Sequence, residues 1–107
     1  KVNGTYVNNS YRLLTQVLRN EWGFDGLVMT DWFATGRKYG DPAHAIASGN
    51  DLIMPGSSGT VDDIVKAVSK GVILEEDVKR SAVNVLKGII SSRIYQGYLR
   101  KKRESGV

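Results

Sequence analysis

The chain has 107 residues, of which 41% are hydrophobic and 24% are charged, a composition typical of a folded globular domain. Its apolar runs are only a few residues long and it contains no cysteine, which excludes a transmembrane helix of about 20 residues, disulfides and thiolate metal sites. The net charge of +4 is that of the basic run 100–103 alone, and a terminal run without interleaved aromatic residues is weak evidence for a nucleic-acid partner.

The first predicted elements are a loop, a helix and a buried strand. Residues 1–9 are rich in Asn and Gly, which indicates a loop. Apolar residues at helical spacing then predict a helix over residues 10–22, with Gly23 placed to end it. After an Asp-Gly turn, residues 27–30 are apolar without alternation, as expected for a strand that is covered on both faces in a parallel sheet.

A short helix is predicted to connect this strand to a second one. Residues 33–40 have the composition of a loop, and Asp41 followed by Pro42 predicts a helix that begins there and ends at Gly49. Residues 51–54 form a second buried apolar run, which a Pro-Gly pair stops. Two apolar runs linked by about twenty residues that contain a helix predict a βαβ unit.

Two further helices are predicted in the second half of the chain. Thr60 and Asp63 resemble a capping box, and the apolar residues around them mark an amphipathic helix that ends at Gly71. A longer amphipathic helix is predicted from Glu75 to about Tyr95, because its apolar residues keep to one face along that length.

This order of elements predicts an α/β fold that is incomplete by itself. Two parallel strands cannot bury the apolar stripes of four helices, so the pattern is that of part of a larger fold. A (β/α)₈ barrel of the TIM type takes roughly 250 residues, and this chain has the length of its closing portion. We therefore expect residues 1–74 to form the last βα units of such a barrel, and residues 75–107 to form a closing amphipathic helix and a basic tail or linker. Because the sequence begins at Lys1 and not at a methionine, we also expect further residues upstream.

The residue of greatest chemical interest is Asp31, which directly follows the first apolar run. In a barrel of this type the carboxyl ends of the strands point into the active site, so Asp31 is a candidate for catalysis, whereas Asp51 begins its strand and is not. The alternative is that Asp31 only caps the turn that follows. The indole of Trp32 beside the carboxylate suits the apolar face of a sugar ring, although composition alone favours a packing role for this tryptophan.

Residues 17–34, VLRNEWGFDGLVMTDWFA, resemble the active-site signature of glycoside hydrolase family 3, the family of β-glucosidases, β-xylosidases and related exo-acting enzymes. That signature has two aliphatic residues, a basic residue, a spacer, an acid, then after four more residues a glycine, three apolar residues, Ser or Thr, and an Asp. Every position is matched. KVNG at residues 1–4, SGNDLIMPG at residues 48–56 and the Gly-Val-Ile between the closing helices extend the resemblance over nearly the whole chain.

The resemblance implies a retaining, exo-acting β-glycosidase of the β-glucosidase type. It implies that terminal β-linked sugars are hydrolysed through a covalent glycosyl-enzyme intermediate on Asp31, and that Trp32 lines the sugar-binding pocket. A retaining mechanism needs an ionised nucleophile and a protonated carboxyl group roughly 5 Å away. In the family this acid/base commonly comes from a separate domain or an inserted loop. We therefore expect the remainder of the barrel and an acid/base-bearing segment as partners, and an isolated chain that is inactive.

The remaining polar residues indicate no second site. The four glutamates and the single histidine, His44, fall on predicted helices, where solvated side chains are expected. No metal cluster, Gly-rich phosphate loop or Ser/His/Asp arrangement is found in the sequence, so no cofactor is predicted. We expect a carbohydrate substrate, such as a β-glucoside, and neither nucleic acid nor a membrane as a partner. The compartment stays undetermined.

A non-catalytic function is the alternative hypothesis. The long helix predicted from residue 75 and the basic tail are consistent with a helical interaction module that derives from a barrel fragment without its activity. A compact monomer that melts cooperatively would favour this module, whereas aggregation or obligate association would favour a fragment with uncovered apolar faces.

Overall fold

The chain is built from helices of three kinds. The computed structural model describes residues 1–36 and 38–106, and its helices are, in chain order, a 3₁₀ turn Val7–Asn9, a π-helix Arg12–Glu21, and the α-helices α1 Pro42–Ser48, α2 Ser58–Ser69, α3 Glu75–Ser91 and α4 Arg93–Glu104. In this part of the chain, no helix combines the length and the apolar character that a membrane crossing requires. The loop predicted for residues 33–40 includes Arg37, and the predicted tail ends at Val107; these two residues lie outside the described ones.

The prediction of two parallel strands in the closing portion of a (β/α)₈ barrel is wrong. Within residues 1–36 and 38–106 the two apolar runs contribute no strand, only an isolated parallel bridge between Met29 and Leu52. Thr30 N–H donates to Leu52 O at 3.0 Å. The N–H groups of Asp51 and Leu52 both donate to Val28 O, at 2.7 and 3.2 Å. A ladder needs its donors and acceptors paired one to one, and two runs without neighbouring strands do not extend beyond this single bridge.

The first predicted helix is present, but it is wound as a π-helix. Its hydrogen bonds run from residue i to residue i−5, as from Trp22 N–H to Val17 O at 3.0 Å. Gly49, at the end of α1, has a φ of 127°, and a Cβ there would lie 2.9 Å from Thr15 Oγ1 and 3.0 Å from Leu14 Cβ on the π-helix. Glycine at this position therefore lets the end of α1 approach the π-helix closely.

The helix start predicted at Asp41 is confirmed, whereas the next one is displaced. The Asp41 carboxylate accepts the His44 N–H at 2.8 Å, and Pro42 occupies the first helical position of α1. The capping box predicted at Thr60 is not the start of α2, because Ser57 Oγ accepts the Thr60 N–H at 3.1 Å. α2 therefore begins before the predicted cap.

The long helix predicted to end near residue 95 is two helices. α3 ends at Ser91, and Ser92 leaves helical geometry with a ψ of 146°. The Ser92 hydroxyl accepts the Tyr95 N–H at 3.2 Å and so caps α4. Serine hydroxyls bond nearby backbone groups more readily at helix starts than in helix interiors, which accounts for the break. The basic run of residues 100–103, predicted as a tail, lies within α4.

The aliphatic core is small. Among the described residues, one cluster consists of the buried side chains of Ala43, Ala67 and Ile73, with Ala47, Ile64, Val68 and Val78 packed against them. The other buried hydrophobic side chains are Leu14, Ala45 and Ile46. Many larger apolar side chains are exposed, among them Leu86, Ile89, Ile90, Ile94 and Tyr98 on α3 and α4. The Cα radius of gyration is 16.1 Å, whereas a compact chain of roughly 100 residues has about 13 Å. The chain therefore leaves wide apolar faces uncovered.

A buried carboxylate, Asp51, ties several parts of the chain together. Its side chain is 0% exposed, and that of Arg19, whose Nη2 lies 2.6 Å from Oδ2, is 12% exposed. The same oxygen accepts the Val28 N–H at 3.0 Å. From α3, Asn84 Nδ2 donates to Oδ1 at 3.0 Å, and Arg80 Nε lies 3.8 Å from that oxygen. The π-helix, the first apolar run and α3 thus converge on one carboxylate.

We expect Asp51→Ala to lower the free energy of unfolding by about 3–5 kcal/mol, because it leaves the charge of Arg19 buried without its partner. Urea unfolding followed by circular dichroism measures the change. Asp62→Ala, at an exposed position of α2, is the control and should stay within about 0.5 kcal/mol of the parent. Equal unfolding free energies for the two variants would contradict the importance of the network.

Candidate functional site

Asp31 lies in a tight turn directly after the first apolar run. The residue is exposed, and its Oδ1 accepts the N–H of the next residue, Trp32, at 2.7 Å. Its carbonyl oxygen accepts the Ala34 N–H at 3.2 Å, which closes the turn. The carboxylate thus caps the turn, which was the alternative to a catalytic role, and it is also accessible to a solute.

Thr30 anchors this turn from the inside. It is buried, its N–H donates to Leu52 O at 3.0 Å, and its Oγ1 accepts the Met54 N–H at 2.9 Å. On the other side of Asp31, Phe33 N–H donates to Met54 O at 3.1 Å. Asp31 is therefore held between two attachments to the second apolar run. Because successive side chains of an extended segment point to opposite faces, the burial of Thr30 turns Asp31 outward.

Two exposed aromatic rings follow the carboxylate. Trp32 is 62% exposed and Phe33 is 67% exposed, and their ring centroids are 6.0 Å apart with 76° between the ring planes. Phe33 has a φ of 57°, which is uncommon for a bulky residue. The indole of Trp32 is therefore not buried among the described residues. Open ring faces beside a carboxylate provide an apolar surface for a sugar ring whose hydroxyls bond at its edge.

The other titratable groups considered from the sequence lie on helix surfaces, as expected. His44 is exposed on α1, with Nδ1 3.1 Å from Asp41 Oδ1. At the start of α3, hydrogen bonds to Glu76 and Glu75 raise the pKa of Lys79 above its ordinary value. All four glutamates are exposed: Glu21, Glu75, Glu76 and Glu104. Among the described residues, no three His, Asp or Glu side chains are grouped so that they could hold a metal ion.

Sequence reasoning missed the network around Asp51, which it treated only as a strand start. The partners of this carboxylate come from positions distant in sequence, and no local pattern joins them. The one available signal is the basic position of the family signature, which Arg19 occupies. Besides Asp51, Arg19 bonds Gly26 O from Nη1 at 3.1 Å and Gly49 O from Nη2 at 2.8 Å. The signature therefore contains a structural residue as well as a candidate catalytic one.

Comparison with known proteins decides the family. The sequence profile described as glycosyl hydrolase family 3 N terminal domain matches residues 1–87. The chain belongs to glycosyl hydrolase family 3. The match is to the N-terminal domain of the family, and it does not confirm the narrower prediction that the chain is the C-terminal part of a catalytic barrel domain. α4 lies beyond the matched residues.

Individual relatives agree with this membership. The chain is 45% identical over 87 residues to a β-glucosidase of Rhizobium radiobacter and 43% identical over 88 residues to β-glucosidase B of Emericella nidulans. Each alignment covers 80% of this chain and 10% of the relative. β-Glucosidase 3B from Thermotoga neapolitana, solved in complex with glucose, is 36% identical, with a TM-score of 0.74 over 90% of this chain and 14% of that one. The chain thus spans about a tenth of the length of the curated relatives it matches.

We expect Thr30→Val to lower the free energy of unfolding by about 1–2 kcal/mol, because the partly buried Met54 N–H loses its acceptor while the side-chain shape is kept. Urea unfolding measures the loss, and faster hydrogen exchange of the Met54 amide would locate it. Thr5→Val, at an exposed position, is the matched control. If both variants unfold at the same urea concentration, the hydroxyl is not an anchor of the turn.

Proposed function

We propose that this chain supplies the nucleophile of a retaining, exo-acting β-glycosidase of the β-glucosidase type, and that the nucleophile is Asp31. The observation that supports this proposal most directly is the geometry of the turn that holds Asp31. An exposed carboxylate follows a buried anchor, Thr30, at the position of the Asp in the family signature. Family membership supports a glycoside hydrolase, and the names of the relatives support a β-glucoside or a similar β-linked sugar as the substrate.

The proposed reaction has two steps. The ionised carboxylate of Asp31 attacks the anomeric carbon through Oδ2 as the bond to the leaving oxygen breaks, and a covalent glycosyl ester forms. The leaving oxygen takes a proton from a second carboxyl group roughly 5 Å away. In the second step a water oxygen attacks the anomeric carbon while that carboxylate accepts the water's proton, and the ester bond to Asp31 breaks. The backbone N–H of Trp32, which donates to Oδ1 at 2.7 Å, orients the nucleophile in both steps.

Trp32 is proposed to bind the sugar. Its exposed indole adjoins the carboxylate in sequence and forms an edge-to-face pair with the exposed ring of Phe33. Stacking of the apolar face of a sugar ring on this indole would bring the anomeric carbon toward Asp31. No cofactor takes part in the proposed reaction.

The proton donor is proposed to come from outside this chain. Glu75 and Glu76 are solvated at the start of α3, where each is already paired with Lys79, at 3.3 and 3.1 Å. The remainder of the hydrolase, with an acid/base-bearing segment, is therefore the inferred partner. The exposed apolar faces of α3 and α4 are surfaces on which that remainder would pack.

The nucleophile is tested in a hybrid enzyme in which residues 1–87 replace the matched segment of the Thermotoga neapolitana enzyme. We expect Asp31→Ala to lower kcat/KM for an aryl β-glucoside by more than about 10³-fold, because it removes the group that forms the covalent intermediate. Asp25→Ala, at an exposed acid that precedes the first apolar run, is the control and should keep the parent rate. Undiminished hydrolysis by the Asp31→Ala hybrid would show that another residue is the nucleophile.

A helical interaction module is the second candidate function, and α4 is the observation that favours it. This helix carries the four consecutive basic residues of the chain, and its apolar residues Ile94 and Tyr98 are exposed. Such a module would be a compact monomer without hydrolytic activity.

For the isolated chain of 107 residues we expect no appreciable hydrolysis of an aryl β-glucoside, because one carboxylate without its acid partner lacks most of the transition-state stabilisation. We also expect self-association, since apolar faces are exposed. Chromogenic assay and light scattering measure the two properties. Substantial turnover would contradict the proposal that the acid/base lies outside this chain, and a compact, monodisperse monomer would favour the interaction module.

A further inference from the structure

We propose that the buried Arg19–Asp51 ion pair positions Asp31, by fixing the register of the short backbone segment that carries it. This inference rests on the proposed function, because it assigns to the pair a part in the reaction of that nucleophile. Arg19 and Asp51 do not touch the reacting atoms in this proposal. They act through Val28 and Thr30, and are positioning residues.

Asp51 holds Val28 in place through two hydrogen bonds. Asp51 Oδ2 accepts the Val28 N–H at 3.0 Å, and the Asp51 N–H donates to Val28 O at 2.7 Å. Both backbone polar groups of Val28 are therefore bound by one residue. Because the Asp51 side chain is inaccessible to solvent, water does not compete for these bonds.

Arg19 in turn binds Asp51 and the backbone at the beginning of both apolar runs. The guanidinium group bonds Asp51 Oδ2 at 2.6 Å, Gly49 O at 2.8 Å and Gly26 O at 3.1 Å. Gly26 precedes the first apolar run, and Gly49 precedes the second. One planar, forked cation thus aligns the beginnings of both runs, which the compact ammonium group of lysine cannot do with the same three bonds.

The position of Val28 determines the direction in which the Asp31 side chain points. With Val28 fixed opposite Asp51, Thr30 N–H meets Leu52 O at 3.0 Å and Thr30 is buried. A slip of one residue would exchange the two faces of the segment, because side chains alternate along an extended chain. It would expose Thr30 and turn Asp31 inward. The register that Arg19 and Asp51 set is therefore the one that presents Asp31 to a solute.

If the pair only stabilised the fold, its disruption would speed amide exchange throughout the chain and not only near Asp31. Hydrogen exchange in the full chain therefore distinguishes a positioning role from a purely stabilising one. We expect Arg19→Lys, which keeps the charge, to speed exchange of the Val28, Thr30 and Trp32 amides by about tenfold or more, while the amides of α2 keep their rates. Arg12→Lys, at an exposed position of the same π-helix, is the matched control and should leave all these rates unchanged. Equal acceleration in the turn and in α2 would indicate general destabilisation and overturn the proposal, as would unchanged rates in the turn.

The kinetic test uses the hybrid enzyme. We expect Arg19→Lys to lower kcat on an aryl β-glucoside by about 10²-fold with less than about threefold change in KM, because a nucleophile displaced by about 1 Å loses rate rather than binding. Asp51→Asn should act in the same direction, and Arg12→Lys should keep the parent values.

An unchanged kcat for Arg19→Lys in a folded hybrid would overturn the proposal. Activity of Asp31→Ala would instead refute the proposed function, so the two failures are distinct. If Asp51→Asn does not fold, the charge-conserving Arg19→Lys variant still tests whether the ion pair positions Asp31.

Discussion

The buried ion pair between Arg19 and Asp51 is the interaction on which the rest of the structure depends. Removing two charges from water costs several kcal/mol per ion, and a buried pair recovers this only when its remaining hydrogen-bonding capacity is satisfied. Asp51 meets that condition with donors from the first apolar run and from α3, namely Val28 and Asn84. Among the described residues, Nε of its partner Arg19 is by contrast buried without a hydrogen-bond partner. The net gain from the pair is therefore smaller than the damage caused by its loss. Its main consequence is specificity, because it determines which segments lie together.

Polar contacts have this importance because the aliphatic core is small. The buried aliphatic side chains of the described residues lie on the π-helix, α1, α2 and the turn after α2, and none of them lies on α3. Arg80 compensates by reaching from α3 to the carbonyl oxygens of Ile46 and Asn50, and Ser81 Oγ also bonds Asn50 O at 3.1 Å. The chain thus satisfies many buried polar groups internally and leaves large apolar faces open. This combination is understandable in a family member that spans about a tenth of the length of its relatives.

Local signals predicted those features whose partners are close in sequence. The cap at Asp41 involves a donor three residues away, and the place of Asp31 follows from the end of an apolar run. The same apolar runs predicted strands wrongly, because strands are completed by neighbours and here two donors share Val28 O. The break at Ser92 was hidden by apolar residues that continue at helical spacing on both sides of it. The burial of Asp51 was not predictable, because its side-chain partners on other segments lie 23 to 33 residues away.

A retaining glycosidase places two opposed demands on its nucleophile, which must be accessible to the sugar and yet fixed in position. An exposed carboxylate in a short turn meets the first demand, and its rigidity has to come from the backbone. Here the backbone is bound from the inner face, where Asp51 bonds Val28 and where the Thr30 hydroxyl accepts the Met54 N–H. The cost of burying a charge is therefore located away from the proposed reacting group. Of the two aspartates that adjoin the apolar runs, the one that begins its run is buried and sets the register. The register then leaves Asp31, which ends its run, exposed.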